Sequence, residues 1–133
     1  MRRLDDWVYS PGSRSDYLKF AILIVICSIM LALGQVCWKT ALMAHGFTMS
    51  VKGLSSLASC WQLWMGFAII IPATLVWFAI LDKAPFSLAY PLMSLSYVFG
   101  MIASRVFFNE PITLYRWSGV ALICLGVSLI AKK

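Results

Sequence analysis

Four apolar runs, each near the length that crosses a bilayer, constrain this 133-residue chain more than any other feature. They extend over Phe20 to Trp38, Trp61 to Leu81, Phe86 to Phe108 and Leu114 to Ala131. A hydrocarbon core of about 30 Å needs roughly 20 apolar residues in a helix. Lipid offers no partner to backbone N–H and C=O groups, so each run is expected to be helical. β-branched residues such as Ile69, Ile70 and Ile71 do not count against a helix in that solvent. Of all residues, 62% are apolar and 12% charged, against about 45–50% and about 25% in soluble domains. A soluble domain this small cannot hide so much apolar surface. A soluble enzyme, a disordered chain and a secreted disulfide scaffold are excluded. The expected fold class is an all-α membrane protein with four transmembrane helices.

Eleven Lys and Arg against five Asp and Glu give a net charge of +6. The basic residues sit beside the apolar runs rather than in a stripe with exposed aromatics, so no nucleic acid is expected as a partner. The side of the N-terminus holds Arg2, Arg3, Arg14, Lys19, Lys83, Lys132 and Lys133; the other side holds Lys39, Lys52, Arg116 and, if it counts as loop, Arg105. This bias puts both termini in the cytoplasm. Residues 1–17, with Pro11 and Gly12, read as a cytoplasmic tail before a membrane domain at 18–133. The first run is long for a signal core and no small-x-small site follows it, so no cleavage is expected. The one long loop, Thr40 to Cys60, repeats Phe47, Val51, Leu54 and Ala58 at helical spacing. It is either a short interfacial helix at about 48–58 or an unstructured loop.

No P-loop, zinc motif, nucleophile elbow or carboxylate pair is present in the sequence, so no catalytic residue, metal or cofactor is expected. Cys27, Cys37, Cys60 and Cys124 form no C-x-x-C pair and read as small buried side chains. His45, the single histidine, reads as a loop residue.

Polarity inside the runs is the informative remainder, because ionisable residues in a membrane helix are costly. Gln35 and Lys39 are four apart and share a helix face. Arg105 lies three residues before the end of the third run, and Glu110 follows in the loop. Each basic side chain either snorkels to the interface or marks a binding site. Glu110 is either an exposed loop carboxylate, a partner to a nearby cation, or part of that site. Pro91 removes one helix hydrogen bond and predicts a kink. Tyr90, Ser94 and Tyr97 are expected on one face, lining a polar groove. Ser96, Gly100 and Ser104 recur every four residues as a close-packing stripe, and Gly119 and Gly126 suggest a second seam, between subunits.

Gly34-Gln35-Val36-Cys37-Trp38-Lys39 resembles the G-Q-x-C-x-K signature of the aminoarabinose-phosphoundecaprenol flippase subunits, especially those of the E type. Ser87 to Leu95, reading S-L-A-Y-P-L-M-S-L, is similar to their x-I-A-Y-P-M-L-S-L run. Asn109-Glu110-Pro111 and Trp117-Ser118-Gly119-Val120-Ala121 resemble their H-E-P and W-C-G-V-A elements. The likeness covers about Leu18 to Ile130. A-Y-P and E-P are shared across the drug/metabolite transporter superfamily, including small multidrug resistance proteins.

The resemblance implies a bundle like that of the small multidrug resistance proteins, in the bacterial inner membrane. It implies a flippase subunit that moves a sugar-phosphopolyprenol, such as aminoarabinose-phosphoundecaprenol, toward the periplasm for lipid A modification. The implied partners are that lipid carrier and a second four-helix subunit, in a homodimer or heterodimer. Lys39, Arg105 or both are then expected to attract the phosphate, with Gln35, Tyr90, Ser94, Tyr97 and Glu110 as further binding residues; Pro91 and Gly100 would bend. The small multidrug resistance proteins carry an embedded glutamate eight residues before a lysine; Leu31 stands there in this chain. No acidic residue falls in any of the four runs. A cation or drug exporter is the first alternative, and a non-transporting assembly subunit the second.

Overall fold

The computed structural model describes residues 14–131, with side chains over 18–130. Of the tail expected at 1–17, residues 1–13 lie outside the described residues, as do the lysines at 132 and 133, whereas residues 14–17 belong to the first turn of the first helix rather than to a tail. The described chain is helical throughout its ordered elements: α1 (Arg14–His45), α2 (Val51–Ala58), α3 (Trp61–Lys83), α4 (Phe86–Leu92), α5 (Leu95–Phe108) and α6 (Leu114–Ala131). Three segments, Leu18–His45, Trp61–Lys83 and Phe86–Phe108, are long and apolar enough to cross a membrane, and Leu114–Ile130 is a shorter apolar helix.

Helix α1 has 32 residues, about 48 Å at 1.5 Å per residue. That exceeds the roughly 30 Å hydrocarbon core, so one end projects beyond it. The expected loop from Thr40 therefore begins later, after His45. Thr40-Ala41-Leu42-Met43-Ala44 contains four strong helix formers, and no breaker precedes Gly46. Gly46 ends the helix at φ +70°, its N–H donating to the Leu42 carbonyl at 2.8 Å. The loop does contain a helix, α2, whose Val51 and Leu54 are exposed and which buries no residue.

Helices α1 and α3 form the tightest seam. A Cβ built on Gly34 meets the Ile70 side chain and lies 3.3 Å from the Gly66 carbonyl oxygen; one on Gly66 meets the Trp38 ring and lies 3.1 Å from the Gly34 carbonyl oxygen. The two backbones approach because neither glycine has a side chain to hold them apart. Pro72 lies inside α3 on an exposed face, and the helix continues through it. The principal core cluster joins Ile24 and Cys27 of α1, Ile80 of α3 and Ala89 of α4. It lies toward the end of the bundle that holds the α3–α4 turn. Ala84 and Pro85 make that turn and, being so short a connection, fold α3 and α4 back as an antiparallel hairpin.

The third apolar run is broken. Pro91 contributes no N–H, and the chain tightens two residues later. Met93 N–H reaches both the Ala89 and Tyr90 carbonyls at 3.2 Å, while Ser94 and Tyr97 bond three residues back, to Pro91 and Ser94. Helices α4 and α5 are thus two halves of one membrane segment. Helix α6 packs against both halves, and none of its described residues is buried.

Candidate functional site

At the end of the bundle away from the α3–α4 turn, Lys39 of α1 meets the residues that follow α5. Its ammonium pairs with the Glu110 carboxylate and stands 4.4 Å from the centroid of the Phe108 ring. An ammonium over a ring face gains electrostatic attraction from the ring quadrupole. The corner holding Glu110 is set by local backbone: Asn109 is left-handed, at φ 51°, and the Glu110 N–H donates to the Ser104 carbonyl at 3.3 Å. Asn tolerates that conformation better than most residues, and Pro111 then prevents the helix from resuming. Both charged side chains remain reachable, at 44% exposure for Lys39 and 36% for Glu110. The pair is the ion pair formed among the described side chains at this end, and it joins α1 to the α5–α6 corner.

Beside this corner a cleft of about 220 Å³ runs between α1 and α5. Ile29, Ala32 and Leu33 form one wall, and Phe99, Ile102 and Val106 the other. Lys39 is seven residues beyond Ala32, so it stands two turns further along the same helix face. The cleft is apolar where it runs along the helices and has the cation and carboxylate beyond its end.

The other expected site residues are dispersed. Gln35 is exposed and makes no side-chain hydrogen bond among the described residues. Arg105 is exposed and turns to a second cleft, of about 320 Å³, formed with Pro111, Ile112 and Trp117 rather than to Lys39. Tyr90 stacks against Phe86 at 4.9 Å and Trp77 at 6.2 Å, near the opposite end of the bundle. Tyr90 and Arg105 are 15 residues apart, about 22 Å along helices. The expected common face of Tyr90, Ser94 and Tyr97 does not form. The break at Met93–Ser94 turns Ser94 inward: its Oγ is buried with no hydrogen-bond partner, while Tyr90 and Tyr97 are 62% and 65% exposed.

The small-residue stripe is not used within the single chain. Ser96, Gly100 and Ser104 make no close helix seam within the chain, since a Cβ on Gly100 meets nothing within 4 Å. Gly119 and Gly126 are equally open. The close contact is at Gly34 and Gly66 instead. Phe108 was not singled out by the sequence, and nothing in its spacing marks it; it acquires a role only because the Asn109 turn brings it under Lys39.

A membrane-crossing helical chain with a charged pair at one end and an apolar cleft leading to it has the layout of a transporter. Residues 40–132 match the EamA-like transporter family, and the chain belongs to it. It is a multi-pass protein of the inner membrane. The chain is 35% identical over 112 residues to the probable 4-amino-4-deoxy-L-arabinose-phosphoundecaprenol flippase subunit ArnE of Serratia proteamaculans, covering 83% of this chain and 93% of that protein. It is 32% identical over 111 residues to the protein of the same name from Pseudomonas fluorescens, and 30% identical over 113 residues to that from Pseudomonas savastanoi pv. phaseolicola; each match covers 84% of this chain and 96% of the relative. No solved structure matches the chain.

Proposed function

We propose that this protein is a subunit of a flippase for 4-amino-4-deoxy-L-arabinose-phosphoundecaprenol or a close sugar-phosphopolyprenol. The observation that carries the reading is the near full-length similarity to proteins named for that activity. The charge pattern supports it: the one carboxylate in the three long segments, Asp82, lies at the very end of α3 beside Lys83, and the cation Lys39 stands beyond an apolar cleft. On this reading the chain crosses the membrane four times with both termini cytoplasmic, and Lys39 and Glu110 lie at the periplasmic face. There Lys39 holds the lipid phosphate, and the α1–α5 cleft takes the first units of the polyprenyl chain. Arg105 provides a second cation on the α6 side, and Gln35, on the face of Lys39, offers a hydrogen bond to the head group. Tyr90 and Tyr97, both exposed, lie deeper, on the path the head group takes, with Pro91 and the Met93–Ser94 break as the bend.

Four helices are few to enclose a head group. The open glycines Gly119 and Gly126 are where a second four-helix subunit docks, identical or related. Reconstitution in vesicles tests the reading, using a fluorescent sugar-phosphoprenol and a membrane-impermeant quencher. The expected result is leaflet exchange by the subunit pair, lowered by Lys39→Ala. Exchange no faster than in empty vesicles overturns it.

A further inference from the structure

We infer that Glu110 is the residue that reads the amino group of the sugar, and that the Lys39–Glu110 pair selects a zwitterionic head group. The inference rests on the proposed lipid-carrier reading and adds what that reading leaves open, the basis of sugar choice. A head group of the class named for the relatives carries two opposite charges: a phosphodiester anion and, at position 4 of the sugar, an amine that is cationic at neutral pH. The site carries the same two charges reversed, on adjacent side chains held by α1 and the α5–α6 corner.

The argument is one of charge conservation. In the unliganded protein each charge satisfies the other. A ligand with only a phosphate takes Lys39 and strands Glu110; a simple cation takes Glu110 and strands Lys39. In the free protein water reaches both side chains, but a lipid head group seated on them shuts that water out, and a charge left unpaired beneath it then costs far more than one that exchanges partners. A zwitterion replaces one ion pair by two, Lys39 with phosphate and Glu110 with ammonium, and strands neither. The phosphate-bearing and amine-bearing carbons lie across the sugar ring from each other, so the two side chains must part by about a ring's width. Parting them frees α1 from the corner after α5, at the mouth of the apolar cleft. Phe108, beneath Lys39, keeps the ammonium over a ring face while its carboxylate partner leaves.

The test is equilibrium binding to the purified protein, in the assembly in which it is extracted, held in lipid nanodiscs. Three probes are compared: aminoarabinosyl phosphoundecaprenol, the same lipid with its amine N-acetylated, and arabinosyl phosphoundecaprenol. The wild type is expected to favour the free amine by about ten- to a hundredfold, the scale of one hydrogen bond to a charged group. Glu110→Gln should abolish that preference by weakening the free-amine lipid and strengthening the two neutral-sugar lipids. Glu110→Asp should keep the preference in part, and thermal melting of both variants should stay close to wild type. Equal binding of the three lipids by the wild type overturns the inference and leaves the flippase reading standing. A preference retained in Glu110→Gln overturns it too. Failure of the wild type to bind any of the three overturns both.

Discussion

Two pairs of helices use glycine in opposite ways. At the α1–α3 seam Gly34 and Gly66 face each other, and each would drive a Cβ into the other helix's side chains. On α5 and α6, Gly100, Gly119 and Gly126 face open space. The first pair is finished within one chain, whereas the second is a surface with room for another helix. Small residues in lipid favour association because they let backbones approach. The contrast therefore separates the fold of the single subunit, anchored by α1 and α3, from the proposed docking of a second subunit on α6.

Substitutions at these positions sharpen or break the comparison. The largest effect is expected for Gly66→Val. The Trp38 ring and the Gly34 carbonyl at 3.1 Å leave it no space, so the folded state should lose about 1–3 kcal/mol or more, seen as a lower melting temperature and poor monodispersity. Lys39→Ala should follow, with carrier affinity falling about tenfold or more. Its melting temperature should move little, because a half-exposed pair stabilises by only about 0–1 kcal/mol. Gly126→Leu should leave subunit melting unchanged yet split the subunit pair, as read by light scattering on a sizing column. A fall in melting equal to that of Gly66→Val would erase the distinction between the seams. The smallest effect is expected for Gly100→Ala, within about 0.5 kcal/mol, measured by the same melting experiment.

Much of the helical layout was legible because lipid enforces it. The run from Leu114 to Ala131 is helix α6 residue for residue, and Pro91 announced the break that appears two residues later. The end of α1 was misplaced because Lys39 and Thr40 look like loop residues, although the helix formers after them continue to Gly46. Pro72 shows the converse, a helix breaker that the helix absorbs.

The site was legible only in part. Lys39, Arg105 and Glu110 stand out as charges near apolar runs, but their grouping does not follow from spacing. Lys39 meets Glu110 across 71 residues, whereas Arg105, five residues before Glu110, turns to Trp117. The left-handed Asn109 decides between them, and a helical wheel drawn through α5 does not contain that turn. The groove expected from Tyr90, Ser94 and Tyr97 failed for a related reason: periodicity holds only while the helix is unbroken.

Native mass spectrometry of the gently extracted protein tests the central claim most directly, since it weighs retained lipid and subunit number together. A phosphopolyprenol bound to a two-subunit assembly, and lost from the Lys39→Ala protein, is the predicted result. A protein that retains no phospholipid carrier and instead gains the mass of an added quaternary ammonium compound would contradict it.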